Sequence, residues 1–218
     1  MCGRFTIAKS KKDLDSFLAK HFNIKNHHDF ILPRFNVSPS QKVITIIYDG
    51  VNFRVGEMPW NYQYHHQSHT LINARSETID QKQSFKESFY KRRCLMIADG
   101  FYEWDQQSKQ PYRILKKDES FLLFAGVYHH HKIEGKLDFG GLILTTSANR
   151  LIEKHHHRMP VILDVDNAKK YLMNDSDVQS LKQLLVPYDE SLMTIYPVSK
   201  EVNKASIDQE KLIKKTTD

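Results

Sequence analysis

Cysteine at position 2, in "MCGRFTIA", is the residue whose place in the chain most directly suggests chemistry. Once Met1 is removed, Cys2 carries a free α-amine beside its own thiol. Such a 1,2-aminothiol condenses with an aldehyde to a Schiff base, and the thiol then attacks the imine carbon and closes a thiazolidine ring that resists hydrolysis. The plain alternative is a small residue in a frayed terminus. An aldehyde trap also needs a group that accepts and returns protons, donors that polarise a sugar oxygen, and cations for neighbouring phosphates. "ADGFYEW" sets Glu103 between Tyr102 and Trp104, and a carboxylate among aromatics tends toward a raised pKa suited to proton transfer; an exposed strand carboxylate is the alternative. "INARSETI" places Asn73, Arg75 and Glu77 at alternate positions, on one side of an extended segment, while a helix cap at Ser76 with Glu77 in the first turn fits as well. "KHHHRMPVIL" puts His155, His156, His157 and Arg158 ahead of an apolar strand, a proton shuttle and a phosphate clamp. Metal binding by this tract, by His65 and His66 or by His129 to His131 is disfavoured, because adjacent histidines project in different directions and no zinc-type spacing is present.

The elements that must position these residues are mostly strands. "SKKDLDSFLAKHFN" spaces Leu14, Phe17, Leu18 and Phe22 for a helix behind a Ser10 cap with Asp13 three residues on. "VITIIYDGVNFRVGEM" predicts a hairpin with Asp49-Gly50 at a turn that needs positive φ. "RRCLMIADGFYEWD", "QPYRILKK", "SFLLFAGVYHH" and "LDFGGLILTTS" are β-rich, helices return at "VDNAKKYLM" and "DVQSLKQLLV", and "MTIYPVS" is a last strand. The pattern predicts an α+β single domain over residues 1–218, built on a curled, largely antiparallel, barrel-like sheet flanked by helices. With 218 residues and 40% hydrophobic content the chain is an ordinary globular protein, without an apolar run long enough for a membrane span and without a signal-peptide start, so a cytoplasmic location is expected. Two cysteines make no disulfide framework, and Cys94 in "CLMIA" reads as a buried inert thiol. A net charge of +6 suits a polyanionic partner, although clusters such as Lys11-Lys12, Lys91 to Arg93 and Lys211 to Lys215 fit solvated faces equally well.

Together these segments resemble the SRAP (SOS response-associated peptidase) family. The resemblance runs in order through "MCGRF", "RFNVSPSQ", "INARSET", "RRCLMIADGFYEW", "FAGVY", "HHRMPVIL" and "YPVSKEVN", essentially the whole chain. It implies a sensor and shield of abasic sites in single-stranded DNA, acting in the DNA damage response without cofactor or metal, as a monomer, and chromosome-associated in a bacterium. The processed Cys2 would form the thiazolidine cross-link to the ring-opened sugar. Asn73 would position the N-terminus or the sugar, Glu103 would assist Schiff-base formation, and His156 would protonate the sugar oxygen. Arg4, Arg75 and Arg158 would contact phosphates, Gly3 would let the DNA approach, and Pro39 and Trp60 would supply a wedge and a platform for stacked bases. Two departures stand out: His157 occupies the place of an aspartate, and "MPWNYQYHH" is a shortened segment with Asn61 after Trp60, in which Tyr62 or Tyr64 could stack instead.

The same Schiff base would permit β-elimination, an abasic-site lyase activity. Two other classes remain open: a hydrolase or autopeptidase in which the α-amine acts as base and Cys2 attacks an amide, and a non-covalent single-strand binder in which Cys2 is structural. A chain that retains Met1 is expected to be the uncleaved precursor.

Overall fold

The computed structural model describes residues 2–64, 70–133, 136–173 and 177–216. Met1, whose removal the aldehyde chemistry requires, and His65 and His66 lie outside the described residues. The chain begins in a three-residue strand, β1 (Phe5–Ile7), and turns into α1 (Lys11–Phe22). Ser10 accepts from the Asp13 amide while the Asp13 carboxylate takes the Ser10 amide, so a reciprocal capping box starts this helix; Asn23 ends it in the left-handed region. Leu14, Leu18 and Phe22 form its buried stripe. Next come β2 (Arg34–Val37), the hairpin of β3 (Lys42–Tyr48) and β4 (Phe53–Pro59), and the short β5 (Asn73–Arg75), which runs into a 3-10 turn at Ser76–Thr78. In the hairpin only Gly50 takes positive φ, at 98°, and the loop centres on Gly50-Val51; Asp49 flanks it and caps the turn amides of Val51 and Asn52.

Helix α2 (Gln83–Lys91) leads into β6 (Arg93–Ala98), β7 (Gly100–Trp104), β8 (Pro111–Lys116), β9 (Leu122–Ile133) and β10 (Lys136–Ser147). The chain closes with α3 (Arg150–Glu153), β11 (Arg158–Pro160), β12 (Ile162–Leu163), α4 (Val165–Leu172), α5 (Val178–Gln183) and β13 (Met193–Pro197), followed by 3-10 turns at Lys200–Asn203 and Glu210–Ile213.

These strands form two sheets. One has the order β13-β8-β7-β1-β2; the other has the order β11-β10-β9-β6-β3-β4, with β12 added to β9 and β5 to β10. Every pairing is antiparallel except β5 with β10. The arrangement is α+β and largely antiparallel, as the sequence predicts, but it is two packed sheets and not a closed barrel. Their inner faces meet through aromatic rings: Phe5 of β1 lies 5.2 Å from Trp60 and 5.9 Å from Phe124 of β9, and Phe101 of β7 lies 5.9 Å from Phe124. Among the described residues no helix is long and apolar enough to cross a membrane.

Candidate active site around Cys2

Strand β1 lies between β7 and β2 in the five-stranded sheet, so the residues before it are held rather than frayed. Tyr102 N–H donates to the Arg4 carbonyl at 2.9 Å and Asp99 N–H to the Thr6 carbonyl at 2.8 Å. Cys2 is completely buried. Its carbonyl receives the Asn73 Nδ2–H at 2.8 Å, a link from β5 of the second sheet that fixes the backbone of Cys2 directly. Asn73 Oδ1 is buried and has no hydrogen-bond partner among the described residues, leaving an acceptor in the site.

Glu103 comes from β7, next to β1. Alternation sends Phe101 and Glu103 to the inner face, while Tyr102 pairs with Arg113 on the outer one. Glu103 is 2% exposed, and burial pushes its carboxyl up to about 7, against the pull of the terminal ammonium. Burial first, and the Glu103 charge second, push the Cys2 thiol far above its ordinary range, so the sulfur is protonated at neutral pH. A fixed Cys2 backbone, a carboxyl that burial raises toward neutrality and an unionised thiol therefore lie close together in the interior.

His156 joins from the turn before β11. Its Nδ1 lies 2.9 Å from the Arg158 backbone N and 3.2 Å from the Arg158 carbonyl oxygen, so the Arg158 backbone fixes the ring through that nitrogen. Burial, and then the terminal ammonium, lower its pKa below the ordinary 6.5. The neighbouring rings take different partners. His157 stacks on His156 with centroids 4.5 Å apart, while His155 lies 4.2 Å from the Tyr112 ring with Nδ1 3.6 Å from Asp105. The tract does not converge on one point, and among the described residues no three His, Cys, Asp or Glu side chains are placed to share a metal ion.

Of the residues expected to touch DNA, Arg75 is exposed at the end of β5 and Pro39 is half-buried in a turn. Arg4 is committed inward: its Nη1 donates to Asn36 Oδ1 and to the Val202 carbonyl, each at 2.7 Å. Arg158 is largely buried and gripped by Glu77, Nη1 to Oε1 at 2.6 Å and Nη2 to Oε2 at 2.9 Å, with Nη2 also donating to the Thr145 carbonyl at 2.6 Å. That hydrogen bond to Arg158 is the main reason Glu77 titrates below its usual range. Asn73 and Arg75 do stand on an extended strand, but Glu77 falls in the 3-10 turn after it, so each of the two sequence expectations holds for part of "INARSET". Trp60 requires correction. It is 0% exposed, its Nε1–H donates to the Ile72 carbonyl at 2.9 Å and its ring packs on Phe5, so it is a core residue and no base can stack on it. Tyr62 is buried likewise, with its hydroxyl on the Ser84 carbonyl. Gly3 is half-buried between Cys2 and Arg4, and Cys94 is a buried thiol of β6.

Sequence reasoning passed over Asn36. Its Nδ2 reaches the carbonyls of Val202, Lys204 and Ile207 at 3.3, 3.1 and 2.7 Å, and its Oδ1 holds Arg4. A polar residue inside the apolar-polar strand "RFNV" was the available signal, but the three carbonyls it reaches are more than 160 positions away.

The profile of the family described as SOS response associated peptidase (SRAP) matches residues 1–205 of the chain. Abasic site processing protein YoqW of Bacillus subtilis is 38% identical over 224 residues, covering 98% of this chain and 99% of that protein. Abasic site processing protein YobE of the same organism is 37% identical over 95% of this chain and 98% of its own. A crystal structure of a phage-related protein from Bordetella bronchiseptica superposes with a TM-score of 0.72 at 28% identity, over 91% of this chain and 95% of that one. A protein from Bacteroides thetaiotaomicron shares the fold with a TM-score of 0.84 at 24% identity, over 99% and 100%.

Proposed function

Because the chain belongs to the SOS response associated peptidase family, we propose that it processes abasic sites in DNA as the named relatives do, by covalent capture of the site in single-stranded DNA. The observation that carries this reading is the fixed Cys2 backbone beside a carboxyl that titrates near neutrality. Removal of Met1 frees the Cys2 amine, of which about a tenth to a fifth is neutral near pH 7 when its pKa is unperturbed. His156 gives a proton to the sugar ring oxygen while the C1′ hydroxyl gives its own back to the imidazole, so the ring opens to the aldehyde and His156 is left unchanged. The amine attacks C1′ and one of its protons passes to the new oxygen; the hydroxyl of this carbinolamine takes a proton from Glu103 and leaves as water while the second N–H proton returns to the Glu103 carboxylate, and an imine remains. The thiol then adds to the imine carbon; its hydrogen passes, through Glu103, to the nitrogen, and the thiazolidine is complete. The sum is protein plus DNA less one water.

The unionised thiol favours this order over the peptidase one, because amide attack needs a thiolate and here burial and Glu103 both oppose it. Arg75 is the cation best placed to meet a phosphate, and the imine stage also allows β-elimination as a minor lyase outcome. The protein acts in this reading as a cytoplasmic monomer of the DNA damage response.

Intact mass spectrometry tests the proposal. The purified protein lacking Met1, incubated with a single-stranded oligonucleotide carrying one abasic site, is expected to give a heat-stable species of protein plus DNA minus water. Cys2→Ser should bind the oligonucleotide and give no stable adduct. Absence of the adduct from wild-type protein that has lost Met1, together with amide hydrolysis in the absence of DNA, would place the chain with the hydrolases instead.

A further inference from the structure

Trp60 and Tyr62 are in the core, and the histidine tract presents an exposed ring of its own. His157 is exposed, and its ring lies on that of His156 with planes 20° apart and centroids 4.5 Å apart. The ring beneath is fixed. His156 Nδ1 is held by the Arg158 amide at 2.9 Å, and Arg158 is anchored through its guanidinium to Glu77 and to the Thr145 carbonyl. The backbone of His157 is held too, its carbonyl accepting the Ala148 N–H at 3.1 Å. One face of the His157 ring thus rests on the half-buried, oriented imidazole of His156, the residue assigned to the sugar oxygen, while His157 itself stays open to solvent.

An abasic site leaves its strand with a gap in the base stack, so the nucleobase beside it has lost a stacking neighbour and presents a bare π-face. Aromatic side chains, histidine included, cover such faces without regard to base identity. We propose that His157 is the stacking platform for the nucleobase adjoining the captured abasic site, with His156 as its support; this rests on the abasic-site reading above. Aspartate, which the resemblance leads one to expect at this place, has no ring and would repel the phosphates, so the platform is a property of this chain's own sequence.

The test uses a single-stranded oligonucleotide with a tetrahydrofuran abasic analogue, which has no aldehyde and so reports binding alone, and 2-aminopurine as the adjoining base. Binding of wild-type protein is expected to quench the 2-aminopurine. His157→Ala should weaken affinity by roughly tenfold, the size of one base–aromatic stack, and abolish the quenching. His157→Phe should restore both, and His157→Lys neither. Equal affinity of His157→Ala and wild type overturns the platform, as does rescue by lysine but not phenylalanine, which would make the residue a simple cation. Adduct formation by the wild-type protein on the same sequence with a genuine abasic site is read alongside. Its absence overturns the capture reading, whereas loss of the alanine–phenylalanine contrast with the adduct intact overturns only the platform.

Discussion

Glu103 is held in the interior at a cost that the proposed chemistry uses. Its carboxyl titrates near 7 in the folded chain and at the ordinary 4.5 when exposed, so between those values the native state holds a proton that the unfolded state has released. Folding stability from this group is therefore full below about pH 4.5 and falls as pH rises through 7, by something on the order of 3 kcal/mol in all. Glu103→Gln keeps the shape and removes the charge. The variant should melt above wild type at pH 8 and alongside it near pH 4. Its adduct rate near pH 7 should drop by roughly a hundredfold or more, the range of a lost general acid–base group, at unchanged affinity for the tetrahydrofuran oligonucleotide. Thermal melts at the two pH values and single-turnover rates check both halves; a variant that is neither more stable at high pH nor slower would make Glu103 a bystander. Cys2 and Glu103 stand out in the sequence by position and type, whereas Asn73 and His156 are singled out by the resemblance to the family. The burial that tunes them could not be read there, since it comes from strands paired across the whole chain.

The elements show the same division between local and distant signals. The capping box of α1 is written in four consecutive residues, from Ser10 to Asp13, and the hairpin of β3 and β4 in its two apolar runs and one glycine, so both were legible. Helix α2 was harder to read. Phe85, Ser88 and Phe89 do repeat at helical spacing on its buried side, but the middle member is a serine and the helix has no side-chain N-cap. The parallel pairing of β5 with β10, which carries Asn73 to Cys2, leaves no mark in either segment because its partners are about 70 residues apart. Trp60 went astray for a related reason: an indole after a proline looks the same whether it faces solvent or a second sheet. Close approach between strands is also visible at Gly126 of β9. A Cβ added there would sit 2.5 Å from the Leu142 carbonyl oxygen of β10 and 3.1 Å from Cys94 Sγ of β6. Gly126→Ala should therefore strain the centre of the larger sheet, costing about 1–3 kcal/mol, with a Tm lower by roughly 2–4 °C for each kcal/mol lost. Calorimetry would decide it, and an unchanged Tm would mean that β9 and β10 can part without penalty.

At the scale of the molecule the two ends of the chain are locked together, and the lock closes behind Cys2. Strands β1 and β2 are neighbours, Arg4 reaches from before β1 to Asn36 of β2 and to the Val202 carbonyl, and Asn36 spans the 3-10 turn at Lys200–Asn203 and the segment after it. Trp104 Nε1–H adds a bond to Asn203 Oδ1 at 2.6 Å, tying the strand that carries Glu103 to the same turn. The C-terminal segment is thus a brace that holds the position of both Cys2 and Glu103. Asn36→Ala removes the donor to three carbonyls and the acceptor of the Arg4 guanidinium at once, in a buried position where each orphaned group costs about 1–3 kcal/mol. The brace should loosen before the core does. The expected result is a lower Tm together with an adduct rate reduced by roughly tenfold or more well below that Tm, since an ångström of misplacement at a reacting residue costs up to a hundredfold. Ser10→Ala supplies the control: it removes the α1 cap, costs about 1 kcal/mol and lowers Tm, but touches nothing that leads to Cys2, so its adduct rate should match wild type. If Asn36→Ala loses stability while its adduct rate stays with that of Ser10→Ala, the C-terminal segment stabilises the fold without positioning the N-terminal cysteine, and the placement of Cys2 falls to Asn73 and β1 alone.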